Sequence, residues 1–169
     1  AYLPDQVPRA IIERWLATAQ RAASWCNTQP WGVIVTSGAA TERFREGLLK
    51  AFDEEPSAPD IPLPAEYRGV SLARRRECGG QLYQSVGIAR GDQAGANRQL
   101  RENFRLFGAP HALVLTSERV LGTYGAVDVG LYLGTLMLAA PALGIACIAQ
   151  GAVARYSPLG RARASRVTT

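Results

Sequence analysis

A chain of 169 residues, 47% of them hydrophobic and 20% charged, has the size and composition of one ordinary globular domain that can bury a core without covalent staples. The net charge of +5 gathers at Arg74-Arg75-Arg76 and in the arginines after residue 154; neither cluster is interleaved with base-stacking aromatics, which argues against a nucleic-acid partner. Cys26, Cys78 and Cys147 lie far apart with no C-x-x-C spacing, so neither a disulfide framework nor a zinc site is expected, and a reducing, cytoplasmic compartment is the simplest inference.

In chain order, the start Ala1-Tyr2-Leu3-Pro4-Asp5 lacks the basic and apolar regions of a signal peptide and also an initiator methionine, which reads as a processed product or fragment. Residues 8 to 23 are predicted helical. Pro8 suits a first turn, and Ile11, Ile12, Trp15, Leu16, Ala19 and Ala23 recur at the helical period. The helix delivers the loop Ser24 to Trp31, dense in small polar side chains and pinned by Pro30 and Trp31. A strand follows over 31–37, then a helix over Thr41 to Phe52, then an extended connection forced by Pro56, Pro59, Pro62 and Pro64.

Residues 65 to 90 are predicted helical with a break at Gly79-Gly80, and Ala96 to Leu106 forms another short helix. His111 to Thr116 is an apolar run bounded by Ala109-Pro110 and Glu118-Arg119, the pattern of a second strand. A long helix is expected from Tyr124 to Leu143 and a third, central strand over Ile145 to Ile148. From Val129 to Gln150 there are 22 residues without a charge, long enough to nominate a membrane span. Pro141 and Gly144 interrupt that run, so a buried helix followed by a strand is the preferred reading: a helix apolar on every side belongs inside a protein or at a subunit interface. The order of elements implies an α+β or three-layer α/β/α sandwich.

Several segments together resemble one family. The loop Ser24-Trp25-Cys26-Asn27-Thr28-Gln29-Pro30-Trp31 matches the form Ser-x-x-Asn-x-Gln-Pro-Trp that FMN-dependent nitroreductases carry after their first long helix. Asn103 to His111, Asp128-Val129-Gly130, Leu136 to Ala140 and Gly144 to Gly151 look like that family's segments in the same order, and the nitrobenzoate-reductase-like subgroup is the most similar. The resemblance implies a nitroreductase-like three-layer α/β/α sandwich with a mixed central sheet and a long buried helix, filling residues 1–159 and followed by an atypical basic tail over 160–169. It also implies FMN as cofactor, NADH or NADPH as co-substrate, a nitroaromatic or quinone-like acceptor, and a homodimer.

Within that resemblance, Ser24 and Asn27 reach the flavin of the neighbouring subunit while Gln29 and Trp31 hold the loop. The residue types suit the task, since a hydroxyl and two amides both donate and accept, as a flavin's carbonyl and imide edge requires. Gln150 and Gly151 take the place where the family offers backbone N–H groups to flavin N5, and Asn103 and Phe104 line the substrate side. Phenylalanines in such positions, Phe104 and Phe107, are more often core. No catalytic dyad is expected, because hydride transfer is the cofactor's chemistry; the single histidine, His111, reads as structural, and Asp128 as a structural carboxylate rather than a base.

Two departures stand out. The family's opening Arg-Arg-Ser-x-Arg phosphate motif is absent, as is the later strand with a basic residue that helps hold the phosphate, which predicts weak discrimination of FMN from riboflavin. A degenerate, non-catalytic flavin-fold dimerisation protein is the alternative reading, and a membrane-associated protein a third.

Overall fold

The computed structural model describes residues 2–159, so the expected basic tail over 160–169 lies outside the described residues. Helix α1 spans Arg9–Ala19, with the Ile11 and Ile12 N–H groups bonded to the Pro8 carbonyl, and strand β1 spans Gly32–Ser37. Helices α2 (Ala39–Glu54), α3 (Gly69–Ser85) and α4 (Gln93–Phe104) follow, then β2 (His111–Thr116) and α5 (Gly122–Ala139). Among the described residues the sheet has two strands, paired antiparallel with Val33 opposite Leu115 and Val35 opposite Leu113.

The side-chain alternation of β2 separates two cores. Leu113 and Leu115 pack with Val33 against Trp15, Ala19, Trp31, Tyr132 and Leu136, which come from α1, the loop and α5. Ala112 and Val114 point to the other face, where Phe44 and Leu48 of α2 meet Phe104 of α4 and Leu106. The sheet therefore lies between an α1/α5 layer and an α2/α4 layer, the three-layer arrangement expected from the sequence. Trp31 stacks on Tyr132 at 4.9 Å between ring centroids, and Phe52 on Phe104 at 4.4 Å.

Three expectations need correction. Ile145 to Ile148 forms no strand, and among the described residues the sheet is antiparallel rather than mixed: Ile145 and Cys147 are half-buried against the first core while Ala146 and Ile148 are exposed, but no described segment pairs with them. Apolar alternation makes a segment extended; only a ladder partner makes it a strand. The long helix is buried on one stripe alone, Gly125, Asp128, Tyr132 and Leu136, while Leu138 is 84% exposed and Val127 55%. Helix α3 runs unbroken through Gly79-Gly80, where an added Cβ would meet nothing within 4 Å, and it buries none of its residues. Two glycines cost that helix about 2 kcal/mol relative to alanine, which weakens it without stopping it.

Candidate functional site

The loop between α1 and β1 is held in an uncommon conformation. Trp25–Asn27 form one 3₁₀ turn, and Cys26, Asn27 and Gln29 all lie in the left-handed region, at φ of 50°, 56° and 47°. Such backbone persists only where surroundings over-determine it. Here α5 supplies the constraint. Asp128, only 4% exposed, accepts the Trp25 backbone N–H on both carboxylate oxygens at 3.1 and 3.2 Å, and one turn earlier Tyr124 contacts the Trp25 ring at 5.2 Å between centroids. Within the loop, Ser24 Oγ accepts the Gln29 backbone N–H at 2.9 Å.

The side chains form a line. The Trp31 indole N–H donates to Gln20 Oε1 at 2.8 Å, Gln20 Nε2 donates to Gln29 Oε1 at 2.7 Å, and Gln29 Nε2 donates to Asn27 Oδ1 at 2.8 Å. Asn27 and Gln29 remain exposed, so the line ends at solvent. Thr28, Gln29, Pro30 and Trp31 of the loop border an open cleft of about 600 Å³ together with Thr116, Ser117 and Glu118, whereas Ser24 and Asn27 do not line it. Ser117 Oγ is buried there without a hydrogen-bond partner among the described residues.

Gln150 and Gly151 sit beyond the C-terminal end of α5, after the extended segment, and do not border that cleft. Their backbone N–H groups find no backbone acceptor among the described residues. Gln150 Oε1 and Arg155 Nε are buried and equally unpartnered there, and a Cβ built on Gly151 would meet nothing within 4 Å. Buried polar atoms are normally hydrogen-bonded, so each of these marks a place where a partner belongs.

Other expected residues separate into two groups. Phe104 is 1% exposed, stacked on Phe52 and edge-on to Tyr156 at 5.5 Å, so its ring is committed to the second core and offers no face to a substrate. Asn103 gives an amide hydrogen to the Leu100 carbonyl at 3.0 Å, and its oxygen has no hydrogen-bond partner among the described residues. His111 is structural, as its position implies: Nε2 accepts the Val7 N–H at 2.9 Å and Nδ1 faces the Thr36 carbonyl at 3.0 Å, which assigns the proton to Nδ1. Asp128 acts on backbone, again as expected, but its partner is the loop itself.

Sequence reasoning missed Gln20. It lies just past the end of α1, outside any apolar periodicity, and only the position of Trp31 gives it a task. Burial raises the Cys147 thiol and the Tyr132 phenol, and it raises the Tyr2 phenol with a further push from Cys147, so these groups move away from acid–base work near neutrality. No group of His, Cys, Asp and Glu among the described residues is arranged to hold a metal ion. The arrangement can bind and orient a flat, polar-edged ligand.

Comparison with known proteins agrees with the geometry. A profile of the nitroreductase family matches residues 1–163. Nitroreductase NfnB of Mycolicibacterium smegmatis is 38% identical over 163 residues, covering 96% of this chain and 70% of that protein. The 4-nitrobenzoate reductase of Pseudomonas putida is 34% identical over 160 residues, covering 94% and 70%. In three dimensions the chain superposes on the FMN-dependent nitroreductase NfnB from Mycobacterium smegmatis, solved in complex with NADPH, with a TM-score of 0.92 at 37% identity, over 98% of this chain and 75% of that one. With the loop motif, the layered fold and the match running through nearly the whole chain, this protein belongs to the nitroreductase family.

Proposed function

We propose that this protein is a flavin-dependent oxidoreductase that passes electrons from NADH or NADPH, through FMN, to nitroaromatic or quinone-like acceptors. The observation that carries this reading is the Ser24 to Gln29 loop, a set of polar groups held in a costly backbone conformation on an exposed rim. The relatives support it: one is named for nitrobenzoate reduction, and NfnB is described as FMN-dependent and bound to NADPH.

The residues fit FMN. Ser24 and Asn27, steadied by Gln29, bring hydroxyl and amide groups to the ring edge, which alternates C=O and N–H. Gln150 and Gly151 meet the second need, with backbone N–H groups that find no backbone acceptor among the described residues and, at Gly151, open space where a Cβ would stand, so a ring can approach the backbone. Bound FMN supplies two-electron chemistry, a hydride in from the nicotinamide and two electrons out to the acceptor. The backbone N–H groups of 150 and 151 would hold the N5 side of the ring and would favour negative charge there. Asn103, through its amide oxygen, remains a substrate-side group in this reading; Phe104 acts behind it as core.

The assembly we propose is a cytoplasmic homodimer, with the loop of one copy completing the site of the other. Along α5 the residues opposite the core are Val127, Leu131 and Leu138, with Gly130 and Gly134 between them clear of any neighbour within 4 Å. That helix is long and apolar enough to cross a membrane, with 22% of its residues buried. Asp128 at its centre is bonded to the Trp25 backbone, which places one side of the helix against its own domain and leaves the other for a second copy.

Purified protein titrated with FMN should perturb the flavin absorbance bands and, with FMN kept in excess, oxidise NADPH in the presence of 4-nitrobenzoate. Absence of both bound flavin and turnover would leave the non-catalytic dimerisation protein as the better account.

A further inference from the structure

The side chains of Trp31, Gln20, Gln29 and Asn27 form a directional hydrogen-bond chain. An amide can present its oxygen or its NH₂ group with nearly the same shape, so three amides in a row could run either way. An indole N–H only donates. With Trp31 9% exposed, its N–H at 2.8 Å requires the Gln20 oxygen; Gln20 then has only its NH₂ for Gln29, and Gln29 only its NH₂ for Asn27. The end left over is Asn27 Nδ2, which has no partner among the described residues and belongs to an exposed side chain. Ser24 has the same sense, because its oxygen accepts the Gln29 N–H and leaves its hydroxyl hydrogen free.

We propose that Trp31 and Gln20 are positioning residues that set the polarity of the loop, holding Asn27 as a hydrogen-bond donor so that the loop selects acceptor atoms, the carbonyl oxygens, of a flavin's pyrimidine edge over its N–H. This rests on the reading of the loop as a flavin-edge site. Reversing the chain would set the indole N–H against an NH₂ group, a lost bond at a buried donor. The identity of one residue thus fixes the orientation of an amide three hydrogen bonds away.

The decisive variant is Gln20→Glu. A carboxylate accepts from Trp31 with one oxygen but cannot donate to Gln29 with the other, so Gln29 turns its NH₂ towards residue 20 and its oxygen towards Asn27, and Asn27 turns its NH₂ inward. Gln20→Leu is the control that cuts the chain without reversing it. Gln20 itself is exposed; Gln20→Glu keeps an acceptor for Trp31, while Gln20→Leu leaves the indole N–H unpaired at a cost in stability, so folding of both variants is checked by circular dichroism before titration. FMN affinity, measured in high salt to screen the added charge, should fall about tenfold or more in Gln20→Glu and by less in Gln20→Leu. In flavin-free, ¹⁵N-labelled protein the Asn27 side-chain NH₂ should exchange rapidly with water in the parent and become protected in Gln20→Glu. Equal FMN affinities for the two variants, or an Asn27 NH₂ whose exchange is the same in parent and Gln20→Glu, overturns the proposal. Should the parent itself bind no FMN, the flavin assignment falls, and the Asn27 exchange comparison still decides whether the chain has a fixed polarity.

Discussion

Replacing Asp128 with alanine should loosen the Ser24 to Gln29 loop while sparing the fold. Its carboxylate is almost fully buried and receives one backbone N–H, that of Trp25, on both oxygens. A hydrogen bond to a charged group contributes about 1.5–3 kcal/mol. The loop it steadies contains Cys26, Asn27 and Gln29 at positive φ, each costing about 1 kcal/mol or more. Together the three cost about 3 kcal/mol or more, so the single contact offsets a large share of the strain and the other loop contacts offset the rest. With it removed, the Ser24–Gln29 bond and the Trp25–Tyr124 ring contact remain, and the binding-ready loop becomes a minority conformer. If that conformer falls to between a tenth and a hundredth of the population, FMN affinity drops by about the same factor. Titration with FMN gives the affinity, and hydrogen exchange over residues 24–29 in flavin-free protein gives the loop order directly. Asp128→Asn keeps one acceptor and should recover much of the loss. Parent-like exchange and parent-like FMN affinity in Asp128→Ala would refute the reasoning, because the carboxylate would then be incidental to the loop.

Gly151→Val should fold normally, since a Cβ there meets nothing within 4 Å, yet slow flavin reduction by NADPH in stopped-flow, because a branched side chain fills the space the ring needs; parent-like reduction would remove Gly151 from the site. Leu138→Glu places a charge on the exposed side of α5 and should convert a dimer into monomer by light scattering, and an unchanged mass would move the interface elsewhere. Alkylation followed by mass spectrometry should label exposed Cys78 well before Cys147, whose thiol is pushed up by burial and carries less thiolate near neutral pH; the gap should narrow as pH rises, and equal rates at pH 7 would contradict the burial.

Much of this protein was legible in its residues taken one segment at a time. Strand β2 coincides with the apolar run His111 to Thr116, because Pro110 before it and charge after it bound the segment locally. Helices α1 and α2 follow their apolar periods, and the Ser24 to Trp31 loop announced itself by composition. The tertiary structure decided whatever depends on a second segment. Ile145 to Ile148 has the pattern of a strand, but a strand exists only when another backbone takes up its N–H and C=O groups, and none of the described residues does. Helix α5 is apolar all round, so its sequence could not say which stripe is buried; Trp15, Trp31 and the sheet chose Tyr132 and Leu136. The sequence offered Phe104 a place beside a substrate but favoured a core, and its contacts with Phe52 and Tyr156 put the ring in the core. Least legible of all was the polarity of Asn27, which depends on a helix-end glutamine and a buried indole meeting across the loop. Residue type states that an amide can donate and accept; only its neighbours in space state which end faces the ligand.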